Sequence, residues 1–112
     1  MNKSDKKILT LAPKFKALTE DVLYEDIWER TPLTKRERSI ATLAALISSA
    51  RFEQLSHHIN LAKNHGINDE ELIELFTHLA FYVGWPSTVS AIACLQDIKA
   101  LDDENQQSGE KL

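Results

Sequence analysis

Apolar positions along the chain recur at helical rather than alternating spacing. Between residues 12 and 23, Phe15, Leu18, Val22 and Leu23 fall on one helical face. The stretch "YEDIWERTP" (24–32) breaks that period and predicts an irregular segment or a single turn closed by Pro32. Thr34 followed by Glu37 forms a capping box, in which each side chain satisfies the other residue's free amide, and opens a helix to about residue 50. From Ile40 to Ile47 this helix is apolar almost all round, so it has to be covered on most sides. A chain of 112 residues has little left to cover it with, which predicts contacts between subunits.

A third helix is expected over 53–65, with Leu55, Ile59 and Ala62 as its apolar stripe and Gly66 as a left-handed cap. Asn68 with Glu71 is a second capping box. The helix that it opens runs to Val83 with Leu72, Leu75, Phe76, Leu79 and Val83 on one face. Gly84 stops it, and "GWPS" leads into a last helix from Pro86 or Ser87 to about Leu101. No pair of segments alternates as strands do. The expectation is an all-α, oligomeric domain of about five helices over 12–101, with a flexible N-terminus (1–11) and a disordered polar tail (102–112).

Composition narrows the function. Hydrophobic residues make up 43% and charged residues 27% of the chain, the balance of a globular protein. The net charge of −4 and the scattered basic residues argue against nucleic acid as a partner, because phosphate binding needs clustered Lys and Arg. The apolar run "SIATLAALISSA" is shorter than the roughly 20 residues that cross a bilayer. With no signal-peptide pattern at the N-terminus, a cytoplasmic location and no membrane partner are expected. Cys94 is the only cysteine, which excludes an internal disulfide and a cysteine-based zinc site. Its apolar neighbours predict an inert thiol. The four histidines lack a ligand spacing, so no metal and no cofactor are expected.

The candidate chemistry sits on two helices. In "RFEQLSHHINLAKNHG" (51–66), His58 borders the Leu55–Ile59–Ala62 stripe, whereas His57 is rotated about 100° away and His65 lies near the helix end. His57 and His65 are therefore expected in solvent. For His58, spacing leaves two readings open: a hydrogen-bonded core histidine or a site residue. On the fourth helix Glu74, His78 and Tyr82 form a polar line one turn apart, either a solvated face or one wall of a pocket. Trp28 and Trp85 flank turns and are expected at the edge of the core.

The ordered set of residues resembles the carboxymuconolactone decarboxylase family, related to the alkylhydroperoxidase AhpD, over residues from about 15 to 100. The marks are Tyr24 to Trp28, Arg38-Ser39 before the apolar helix, Leu55–x–x–His58, Ala62, Gly66, Glu71, Glu74 and Tyr82–x–Gly84–x–Pro86. The peroxidase branch of that family has a CxxC pair followed four residues later by a proton-relay histidine. The matching positions hold Arg51, Gln54 and His58, and Ser39 stands where that branch has a glutamate. Without a thiolate there is nothing to attack a peroxide, so peroxidase activity is the least supported alternative.

The resemblance implies instead a lyase of the decarboxylase branch, acting without cofactor on a small carboxylic acid or lactone in aromatic-compound catabolism. It places His58 as the proton donor and Arg38, Ser39, His78, Tyr82 and Trp85 around the substrate, some of them from a neighbouring chain. It also implies a homotrimer or homohexamer. A non-catalytic, ligand-binding member of the same fold is the alternative from another functional class.

Overall fold

The computed structural model describes residues 3–110 and the side chains of 7–105. Among the described residues there are six α-helices and no strand: α1 (Lys3–Leu11), α2 (Pro13–Ala17), α3 (Lys35–Ser48), α4 (Phe52–Asn64), α5 (Asp69–Val83) and α6 (Trp85–Glu110). A π-helical turn (Leu18–Tyr24) continues α2, and a 3₁₀ turn (Ile27–Glu29) precedes α3.

Local chemistry sets most of these boundaries. Both capping boxes form: Glu37 N–H donates to Thr34 Oγ1 at 3.0 Å, and Glu71 N–H donates to Asn68 Oδ1 at 2.8 Å. The Glu37 and Glu71 carboxylates accept in return from the Thr34 and Asn68 amides. At the end of α4, Gly66 adopts φ +93°. Its amide bonds the Lys63 carbonyl at 3.1 Å and the Ile67 amide bonds the Ala62 carbonyl at 3.0 Å, which closes the helix as a Schellman motif. Gly84, at φ +98°, separates α5 from α6.

The core lies where α3, α4, α5 and α6 meet. Leu43 and Ile47 of α3, Leu55 and Ile59 of α4, and Leu72 and Phe76 of α5 are completely buried, with Ala91, Leu95 and Ile98 of α6 against them. Full burial of each large side chain stabilises the fold by roughly 1.5–3 kcal/mol before entropy is counted. Thr88 Oγ1 donates to the Phe76 carbonyl at 3.0 Å, which pins α6 to α5 and satisfies a buried hydroxyl. On the surface, Asp69 pairs with Lys63 (2.8 Å) and Lys99 (3.5 Å), joining α4, α5 and α6, and these partners hold its carboxyl below the usual range. Arg36 pairs with the second oxygen of Glu71 and ties α3 to the start of α5.

Three expectations change. Residues 3–11 form a helix whose Leu9 is buried, and α6 continues nine residues past Leu101 to Glu110 because no proline or glycine interrupts it before Gly109. The segment expected as one helix over 12–23 widens into the π turn, marked by the Glu25 amide bonding the Glu20 carbonyl at 3.0 Å. The apolar helix α3 is covered within the chain on one side only: its Leu43–Ile47 stripe faces the core and Ala44 and Leu46 pack beside it, while Ile40, Ala41 and Ala45 stay exposed. Further open apolar surface lies along the segment 11–27, and on α5 and α6 at Phe81, Tyr82, Trp85, Val89 and Ile92.

Candidate functional site

The α4 stripe of Leu55, Ile59 and Ala62 anchors that helix in the core and fixes the direction of its flanking side chains. His58, one position before Ile59, emerges half-buried at the side of the stripe. It enters a groove of about 370 Å³ between α4 and the N-terminal segment. Gln54, His57 and His58 form the α4 wall. Ile8 and Leu9 of α1, Phe15 of α2, and Thr19, Leu23 and Tyr24 of the π turn form the other. The wide π turn contributes to this geometry by bringing Thr19, Leu23 and Tyr24 onto one wall. Four of the six side chains on that wall are aliphatic or phenyl, so the groove is apolar with a polar edge.

The electrostatics of the groove centre on His58. Burial, and then the neighbouring His57, push its pKa down to about 4 from the usual 6.5. The imidazole is therefore neutral at pH 7. Its ring meets that of His57 edge to face, with centroids 4.9 Å apart.

His57 corrects an expectation. It was expected in solvent, yet it is half-buried and lines the same groove as His58. The helical wheel places it off the core stripe correctly. What the wheel lacks is the second covering layer, because α1, α2 and the π turn fold over that flank of α4. His65 is a second correction. It too was expected in solvent, but its Nδ1 lies 2.8 Å from Ser39 Oγ and its ring sits against Trp28 at 5.5 Å. Burial, followed by the charge of Lys35, lowers its pKa. With Tyr24, Trp28, Glu29, Lys35 and Leu61 it lines a smaller pocket of about 120 Å³ behind the main groove.

The other expected site residues are not gathered around His58 within the chain. Ser39 is only 2% exposed, and its hydroxyl is engaged by His65. Arg38 donates from Nη2 to the Arg30 carbonyl at 3.2 Å, bracing the loop before α3, and its Nε is buried without a hydrogen-bond partner among the described residues. His78 and Tyr82 stack on each other at 5.0 Å, and Trp85 meets Phe81 at 5.4 Å. Tyr82 and Trp85 are 76% and 62% exposed. None of these five residues borders the groove.

At the positions of the peroxidase cysteines, Arg51 is exposed before α4 and Gln54 lines the groove. Cys94 is half-buried on α6 with Sγ 3.9 Å from the Phe52 carbonyl, and burial raises its pKa, which disfavours the thiolate. Among the described residues no group of three His, Cys, Asp or Glu side chains is placed to hold a metal ion. Among the described residues no helix is long and apolar enough to cross a membrane.

Sequence reasoning named His58 alone of the nine groove-lining residues as a site residue. Of the others, Gln54 carried a signal at the position of a peroxidase cysteine, and Tyr24 as the aromatic that opens the "YEDIW" run.

The described residues thus form an all-α domain with a half-buried histidine in an apolar groove and no thiol pair beside it. The family comparison makes the class of protein specific. The sequence model of the carboxymuconolactone decarboxylase family matches residues 13–97, and the chain belongs to this family. It is 26% identical over 98 residues to 4-carboxymuconolactone decarboxylase of Acinetobacter baylyi, a match covering 88% of this chain and 73% of that protein. It is 32% identical over 77 residues to nitrosuccinic acid decarboxylase npaB of Metarhizium robertsii, covering 69% of this chain and 52% of that one. The chain thus spans about half the length of the second relative.

Proposed function

We propose that the protein is a cofactor-free decarboxylase for a small carboxylic acid, with a cyclic, lactone-type acid of aromatic-compound catabolism as the first substrate to test. The observation that carries this reading is His58, a neutral imidazole set into an apolar groove that admits a ring-sized molecule. The names of both relatives describe loss of CO₂ from an acid that also bears an electron-withdrawing group, a lactone in one and a nitro group in the other. In such a reaction the C–CO₂ bond breaks, its electron pair delocalises into the acceptor, and carbon then takes up a proton. The protein has to hold the anion, exclude water and supply that proton.

His58 is the proposed proton donor. On its own its low pKa keeps it uncharged, but a bound anion opposes the effect of burial and raises its basicity. A proton gained in the complex is then passed to the carbanion, and the ring returns to its neutral state. The aliphatic wall of α1, α2 and the π turn limits competition from solvent water.

Self-assembly into a homotrimer or homohexamer belongs to the same proposal. The open apolar surface on α5 and α6 is of the kind that marks an interface. His78, Tyr82, Trp85 and Arg38 would reach a substrate only from another subunit. A cytoplasmic location is proposed with it.

The test is CO₂ release by the purified protein from 4-carboxymuconolactone and from nitrosuccinic acid, with light scattering on the same sample. Turnover of either acid by an oligomer supports the proposal. Binding without turnover of both acids would favour the ligand-binding alternative, and a stable monomer at micromolar concentration would remove the shared site.

A further inference from the structure

The groove at His58 and the smaller pocket at His65 are neighbours along one face of α4. His57 borders the first, while Leu61 and His65, one and two turns further along the helix, border the second. Among the described residues Tyr24 alone lines both spaces. It is the last residue of the π turn, on the wall that faces α4, and is itself half-buried. Its ring stacks on Trp28, with centroids 6.3 Å apart and planes inclined by 27°. Trp28 in turn is buried against the His65 ring, and His65 is held by the Ser39 hydroxyl. A chain of packed rings thus holds Tyr24 between spaces of about 370 and 120 Å³.

We propose that Tyr24 is a specificity-determining residue: its ring closes the groove toward the end of α4 and sets the length of the acid that is buried there. The favoured class is a carboxylic acid on a compact, ring-sized body with its carboxylate toward His58. This role rests on the groove being the substrate site, as proposed above, but it concerns binding and not turnover.

The two cavities decide what an extension on such an acid would gain. Where the Tyr24 ring stands, a chain directed along α4 meets the ring. It turns instead to the open side of the groove, stays in water and adds little affinity. Without the ring the chain enters the second space, which equals about four water molecules at roughly 30 Å³ each. Leu61 and Trp28 offer it apolar contact there, and the exposed Lys35–Glu29 ion pair, at 2.9 Å, forms the polar side. Each methylene taken out of water then adds to binding.

Benzoate and 4-propylbenzoate are the probes, titrated calorimetrically into the full chain. The wild type should bind the two acids within about threefold of each other. Tyr24→Ala should bind 4-propylbenzoate about tenfold or more tightly than the wild type does, as burial of a propyl chain predicts. Tyr24→Phe, which keeps the ring, should show no such gain. Adding Leu61→Phe to Tyr24→Ala refills the second space and should cancel the gain. Nitrogen-15 NMR of histidine-labelled Tyr24→Ala locates the ligand: the His65 ring signals should move with 4-propylbenzoate and stay in place with benzoate. Should circular dichroism show Tyr24→Ala to be unfolded, Tyr24→Leu takes its place with the same direction of effect.

The proposal is overturned if the folded variant binds 4-propylbenzoate like the wild type, if Tyr24→Phe shows the same gain, or if the gain survives Leu61→Phe. Unmoved His65 signals, or a wild type that already prefers 4-propylbenzoate by tenfold, would overturn it as well. Binding of neither acid to the wild type would remove the groove as a carboxylate site, and this role with it. Failure of CO₂ release with intact, Tyr24-dependent selectivity would remove the decarboxylase reading and leave this one standing.

Discussion

The N-terminal arm, residues 3–29, and the body formed by α3 to α6 treat apolar side chains in opposite ways. In the body, Leu43, Ile47, Leu55, Ile59, Leu72 and Phe76 are sealed from solvent in one contiguous cluster. In the arm, among the described side chains, Leu9 and Trp28 are buried, while Leu11, Phe15, Leu18, Val22 and Ile27 remain open. The body has the makings of an independent core; the arm is apolar chiefly because it forms a wall. Its Ile27–Glu29 turn packs on α3, and its other inward side chains face the groove across from α4. On the proposed function, stability rests mainly on the body and ligand recognition on the arm, with the histidine pair at the boundary.

That contrast is broken most forcefully by truncating one phenylalanine in each region. Phe76→Ala should cost about 3–5 kcal/mol of unfolding free energy, because a fully buried ring leaves a cavity that the surrounding helices fill only in part. Phe15→Ala, at a position more than half exposed, should cost about 0.5 kcal/mol yet weaken binding of an apolar carboxylate. Urea denaturation and benzoate titration of both variants check the pair. Equal stability losses would mean that arm and body share one core.

A middle-sized effect sharpens how the body is built. Asn68→Ala removes the side chain that accepts the Glu71 amide and should cost about 1 kcal/mol. Gly66→Ala should cost a similar amount, about 1 kcal/mol, through backbone strain at positive φ alone, since an added Cβ meets no atom within contact distance. Denaturant midpoints of the two variants measure both.

The pH dependence of stability probes the boundary itself. An unfolded chain protonates His58 below about 6.5, whereas the folded chain does so only below about 4. Within that window the unfolded state binds more protons. Stability is therefore fully present above pH 6.5 and declines as the pH falls toward 4. His65, also shifted down, adds to the slope with the same sign. Denaturation midpoints between pH 4 and 7.5 should show a shallower slope in His58→Gln. They should also show one in Leu9→Ala/Phe15→Ala, which uncovers the ring from the arm side. An unchanged slope in the double variant would mean that the arm does not bury His58.

The smallest effect is expected at Cys94. Its raised pKa and its contact with the Phe52 carbonyl describe a packed thiol, so Cys94→Ser should leave turnover within about twofold. Thiol-dependent hydroperoxide reduction by the wild type and not by the variant would contradict this.

How much of the molecule was legible in the sequence follows the same divide. The helices α3, α4 and α5 were readable to within a residue or two because caps and breakers are local: Thr34 with Glu37, Gly66, Asn68 with Glu71, and Gly84 each act on the next few residues. The arm was not readable in this way. Its helix α1 has a polar composition that reads as frayed, and the widening at Leu18–Tyr24 has no sequence marker. The site inherited this limit. The half-buried position of His58 was legible from its place beside the Leu55–Ile59 stripe. His57 was misplaced because its cover comes from residues some 30 to 50 positions away. The Ser39–His65 contact spans 26 residues between two helices and has no local signature either.

The central claim is that the groove at His58 is where the protein acts. The most direct measurement is the turnover of His58→Gln beside that of the wild type, on whichever acid releases CO₂, with circular dichroism confirming that both are folded. Loss of a general acid predicts a decrease of about 10²-fold or more for His58→Gln. Turnover near the wild-type value in folded His58→Gln would contradict the account and move the site away from the groove.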